Sequence, residues 1–65
     1  MADFLVTDLG SIVTIEPLSD GGSRWLDDNL AVEPWQRIGS AIAVEHRCAA
    51  DIIAAIARAG FDISR

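Results

Sequence analysis

Apolar residues recur along this chain in short runs, and their period separates strands from helices. Phe4-Leu5-Val6-Thr7-Asp8-Leu9 is apolar and partly β-branched, which predicts a strand. Ile12-Val13-Thr14-Ile15-Glu16 predicts a second strand, stopped by Pro17. Gly10-Ser11 between them is a turn signal, so the two should pair as an antiparallel hairpin. Val13 and Ile15 alternate with Thr14 and Glu16, the signature of one buried face.

The period then lengthens. Ser19 is placed to cap a short helix that runs to about Leu30. Trp25, Leu26 and Leu30 share one face, while Arg24, Asp27 and Asp28 point away. Gly21 and Gly22 weaken the first turn by about 1 kcal/mol each relative to alanine. Asp20, Arg24 and Asp28 stand four apart as a weak charge ladder. Asp27 and Asp28 lie near the helix C-terminus, where the macrodipole disfavours carboxylates.

Residues 31–39 read as a loop containing Pro34 and Trp35. Ser40-Ala41-Ile42-Ala43-Val44 predicts a third strand, with Ile42 and Val44 on one face and alanines that would let a helix pack closely on the other. From about His46 to Ala59 the stripe Ala49, Ile52, Ile53 and Ile56 predicts a helix. Gly60 is its left-handed C′ residue, Phe61 its C″ residue set against Ile56, and Arg58 a favourable cation in its last turn. The expected architecture is α+β: a three-stranded, mainly antiparallel sheet in β-β-α-β-α order, with two helices on one face and the other face partly open.

Size narrows the classes of function. Residues 1–65 make one domain, whose core supplies no more than about 3–5 kcal/mol. Cys48 is the sole cysteine, so no disulfide forms within the chain, and His46 with Cys48 is too small a soft-ligand set for zinc. No cofactor or metal is expected. No apolar run approaches the roughly 20 residues of a membrane span, and Met1-Ala2-Asp3 lacks the basic start of a secretory signal. The expected compartment is the cytoplasm, without membrane association.

Charge narrows them further. The chain has ten acids, five arginines and no lysine. Residues 1–33 carry seven acids against Arg24, a net −6, and residues 34–65 carry three acids against four arginines, a net +1. Nucleic-acid binding requires a basic patch, so direct contact with DNA or RNA is not expected. A protein partner with a basic surface is.

Each candidate constellation has a plainer reading beside it. Glu45, His46, Cys48 and Asp51 hold nucleophile and base types, but Cys48 and His46 lie about 200° apart on a helix. A helix start with Glu45 and His46 in solvent and Cys48 half-buried accounts for them. Asp27 and Asp28 diverge by about 100° and lack the glycine-punctuated loop of a calcium site, so they read as a solvated acidic face or a binding epitope. Gly21-Gly22-Ser23 lacks a lysine and follows Asp20, which repels phosphate. Trp25 reads as core. Trp35 reads either as core or as an exposed interface anchor. Neither an enzyme nor a small-molecule site is expected.

Several ordered landmarks together resemble a known group. Gly10-Ser11-Ile12, Ile15-Glu16-Pro17-Leu18, Trp25-Leu26-Asp27-Asp28-Asn29, Trp35 and Ala41-Ile42-Ala43-Val44-Glu45-His46-Arg47 span nearly the whole chain. They resemble a family of short bacterial and phage proteins borne on prophages and other mobile elements. The size and acidity look like those of anti-CRISPR proteins, particularly the small inhibitors of type I systems, and a type I-C system is the expected target. Cys48, where the family pattern often has an aromatic residue, and Gly21-Gly22 depart from that pattern and bear on packing. The resemblance implies binding to the crRNA-guided surveillance complex, Cascade, with a DNA-mimicking acidic surface that blocks target DNA. No residue role carries over from that family; by their charge Asp8, Glu16, Asp20, Asp27, Asp28 and Glu33, with Trp35 as an aromatic anchor, are the expected partner-binding residues, in a monomer or weak dimer. The alternatives are an acidic interaction module, a homodimer joined through its open sheet face, or an antitoxin-like inhibitor.

Overall fold

The computed structural model describes residues 1–30 and 36–65. Strand β1 (Phe4–Asp8) and strand β2 (Ile12–Pro17) form the hairpin, antiparallel with Val6 opposite Ile15 and Thr7 opposite Thr14. Its turn is closed by the Leu9 N–H donating to the Ile12 carbonyl at 2.8 Å. Gly10, at φ +99°, takes the left-handed backbone conformation that side chains disfavour.

Helix α1 (Asp20–Asn29) begins where the cap signal places it. The Ser19 hydroxyl oxygen accepts the Gly22 N–H at 3.0 Å. Strand β3 (Arg37–Ile38) leads through Gly39-Ser40 into strand β4 (Ala41–Glu45), which pairs with β2 through Val13–Val44 and Ile15–Ile42. Helix α2 (His46–Arg58) ends in a complete Schellman motif: the Gly60 N–H donates to the Ala57 carbonyl at 3.1 Å and the Phe61 N–H to the Ile56 carbonyl at 3.4 Å. That turn delivers the chain to strand β5 (Ile63–Ser64), parallel to β1 with Phe4 opposite Ile63.

The sheet is therefore five-stranded and mixed, in the order β3-β4-β2-β1-β5, and not the three-stranded, mainly antiparallel sheet expected from the sequence. The difference lies in two edge strands of two residues each, too short to show any period. Pairing with a longer neighbour creates them. Asp3 and Phe4 donate their N–H groups to the Asp62 carbonyl at 2.8 and 3.1 Å, which fixes β5, while the glycine-first turn at Gly39 (φ +62°) folds β3 onto β4.

Both helices cover one face. Phe4, Val6, Val13, Ile15, Ile42 and Val44 point inward, none more than 7% exposed, and form one core with Leu26, Ala49 and Ile56. Phe4, Trp25 and Phe61 meet edge to face, with ring centroids 5.5–6.4 Å apart. Trp25 thus packs against the core, as read from the sequence. The alanines of β4 do not lie under a helix: Ile42 and Val44 take that side, leaving Ala41 and Ala43 on the outward face.

Candidate functional site

The outer face of α1 gathers the largest share of the expected acidic residues. Gly22 and Leu26 are buried and Trp25 half-buried, so the helix has a fixed orientation on the sheet. Asp20, Asp27 and Asp28 consequently project into solvent. They are seven and eight residues apart, about 10–12 Å along the axis at 1.5 Å per residue. Arg24 lies between them on the same side. The Arg37 guanidinium of β3 donates to the Asp27 carboxylate at 3.0 Å. This pair contributes no more than about 1 kcal/mol at 44% and 60% side-chain exposure, and it offsets the unfavourable place of Asp27 near the helix end.

The N-terminal end of α1 adds two carboxylates outside the expected set, Asp3 and Asp62. The Asp62 N–H donates to the Asp3 carboxylate at 3.0 Å. That bond, followed by one from the Ser19 hydroxyl, holds the Asp3 carboxyl below its usual range against a smaller opposing effect of desolvation. Ser19 precedes Asp20, so Asp3, Asp20 and Asp62 extend the acidic surface of α1 around the end of β1. The β1–β5 pairing brings Asp62 there. No local pattern in the sequence announces it.

The remaining expected residues lie elsewhere. Asp8 stands at the far end of β1, where its carboxylate accepts the Gly10 N–H at 2.8 Å and meets His46 Nε2 at 3.2 Å. The Gly10 N–H is the main cause of its lowered pKa, and His46 adds a smaller contribution against desolvation. Asp8 thus ties the hairpin turn to the start of α2. Glu16 projects from the opposite, outward face of the sheet, half-buried beside Leu5. Glu33 and Trp35 lie outside the described residues. Among the described residues, the predicted acidic set therefore falls on three separate surfaces, of which α1 holds three members.

The cluster of catalytic residue types does not assemble. Cys48 is exposed, not half-buried as expected, on the flank of α2 about 100° around the axis from the buried Ala49. His46 turns to Asp8. Among the described residues no group of three His, Cys, Asp or Glu side chains could hold a metal ion. A groove of about 540 Å³ runs between α2 and β1, floored by Val6, Val13, Ala49 and Ile53, with Asp8, His46 and Arg65 at its margin. Among the described residues, no helix is long and apolar enough to cross a membrane. Comparison with family models, curated proteins and solved structures finds no match to this chain, so its functional reading rests on its own geometry and on the sequence landmarks above.

Proposed function

We propose that this chain is a binding module that presents the acidic outer face of α1 to a basic groove on another protein, its carboxylates taking the places of phosphates. The supporting observation is the alignment of Asp20, Asp27 and Asp28 on one exposed side of a helix whose other side is anchored in the core. A rigid element that holds several charges in fixed positions loses little entropy on binding. Arg37 already offers Asp27 a guanidinium, the kind of contact that a target arginine would provide.

The partner proposed is the crRNA-guided surveillance complex of a type I-C CRISPR system, which must hold target DNA in such a groove. This choice follows the family resemblance; the geometry supports the acidic surface itself. A gel-shift assay with the purified complex and its target duplex tests both. The wild-type chain is expected to abolish the DNA shift, with the effect weakening as salt is raised. The variant Asp20→Lys/Asp27→Lys/Asp28→Lys, shown by circular dichroism to be folded, is expected to leave the shift intact. Inhibition by that folded variant would rule out the α1 surface. An unchanged shift with the wild-type chain would rule out occupation of the DNA groove of this complex.

A further inference from the structure

The face of the sheet opposite both helices carries a second pattern, independent of α1. Sheets with one solvated face normally place polar side chains outward. Here the outward positions include Leu5, Ile12, Ile38, Ala41 and Ala43, of which Ile12 and Ile38 are exposed and the other three half-buried, and neither helix lies on this side. Ile38 is 60% exposed and Ile12 38%, against at most 7% for the inward Phe4, Val6, Val13, Ile15, Ile42 and Val44.

The register arranges these side chains by size. One row across the strands runs Ile38, Ala41, Glu16, Leu5, Ser64, with Ala41 one step beyond the Ile15–Ile42 pair. The next is small throughout: Ala43, Thr14, Thr7. The third pairs Glu45 with Ile12. A low floor therefore lies between Ile38, Glu16 and Leu5 on one side and Ile12 and Glu45 on the other, the first row being open at Ala41 and Ser64. These two flanking rows are four residues apart along a strand, about 13 Å at 3.3 Å per residue, and an α-helix with its side chains is about 10–12 Å across.

Charge specifies the occupant. Glu16 stands in one wall and Glu45 in the other, and no outward position on the described strands carries a lysine, arginine or histidine. Arg47, at the start of α2, is already on Glu45 at 3.3 Å. Two copies of this face stacked on each other would bring four carboxylates together against only two Arg47 side chains, an excess of negative charge that disfavours the self-paired sheet. We propose that this face is a docking trough for a basic amphipathic helix of another protein, whose apolar stripe lies on Thr7, Thr14 and Ala43 and whose flanking cations reach Glu16 and Glu45.

The test is a titration of ¹⁵N-labelled protein with a synthetic 14-residue amphipathic leucine/lysine peptide, beside a leucine/glutamate peptide of the same pattern. The lysine peptide is expected to shift the amides of Thr7, Thr14 and Ala43 saturably, and the glutamate peptide to leave them unchanged. Ala43→Arg, an outward substitution that leaves the core untouched, should abolish binding. Glu16→Lys/Glu45→Lys should weaken the lysine peptide at least tenfold and admit the glutamate peptide. The triple α1 reversal should bind the lysine peptide at the trough as before, which separates this proposal from the one above. Shifts confined to α1 or to the α2 groove would overturn it, as would undiminished binding by the Ala43→Arg variant or no binding at all. Concentration-dependent shifts of the same amides without peptide would overturn it in favour of a homodimer.

Discussion

Gly21 and Gly22 look interchangeable in the sequence, yet their substitution by alanine should move stability in opposite directions. In an otherwise unobstructed helix, either change gains about 1 kcal/mol of helix propensity. A Cβ on Gly21 would meet only the Phe61 ring edge, at 3.6 Å, an ordinary contact. A Cβ on Gly22 would stand 3.0 Å from the Asp3 carbonyl oxygen and 3.1–3.2 Å from two atoms of the Phe4 ring. Neither neighbour can give way easily. The Asp3 carbonyl accepts the Leu18 N–H at 2.7 Å, and the fully buried Phe4 ring is held against Trp25 and Phe61.

Overpacking of a tight site costs about 1–3 kcal/mol. Set against the propensity gain, Gly22→Ala should be destabilising by about 1 kcal/mol, while Gly21→Ala should be stabilising by about 0.5–1 kcal/mol. Each kilocalorie moves the midpoint of a domain this small by about 4–8 °C, and about 1 kcal/mol is a large part of a 3–5 kcal/mol margin. Urea and thermal unfolding followed by circular dichroism would resolve both signs. If Gly22→Ala proved as stable as Gly21→Ala, the close seating of α1 on the start of β1 would be wrong. So would the fixed orientation on which the acidic face depends.

Two further outcomes follow from the geometry. Gly60→Ala forces a side chain into a backbone at φ +91°, where a Cβ meets no neighbour and the penalty is purely conformational; it should lower stability by about 1–2 kcal/mol in a denaturant titration, and no loss would refute the Schellman turn. The Asp3 and Asp8 carboxyls are held below the ordinary value of 3.8 by backbone N–H donors. Their contribution is therefore fully present above that value and is lost as pH falls through the lowered pKa of the folded state. Urea midpoints should hold steady above about pH 5 and decline in acid, with a smaller decline for Asp3→Asn and Asp8→Asn; an identical acid-side decline in both variants would refute those hydrogen bonds.

Sequence alone determined the features whose causes are local. Ser19 caps α1 because a hydroxyl oxygen there reaches the Gly22 N–H within a single turn. Gly60 ends α2 because its left-handed conformation returns two N–H groups to carbonyls three and five residues back. The hairpin and the inward alternation of Val13 with Ile15 were equally legible, since period and turn chemistry operate over a few residues. The Gly39-Ser40 turn is different: Gly39 ends the expected loop and Ser40 opens the expected strand, although a two-residue, glycine-first loop between Ile38 and Ala41 is a hairpin signal that marks β3.

Only the tertiary structure decided the rest. Ile63 and Ser64 have no strand pattern of their own. They become β5 because the Schellman turn sets them beside the unpaired edge of β1. That pairing also carries Asp62 to Asp3 and enlarges the acidic end of α1. Composition counted the carboxylates but could not distribute them. Asp8 went to a hairpin turn, Glu16 to the outward face, and Asp20, Asp27 and Asp28 to the solvent side of one helix. Adjacency on a surface depends on strand order and register, which long-range pairing fixes and local periodicity does not encode.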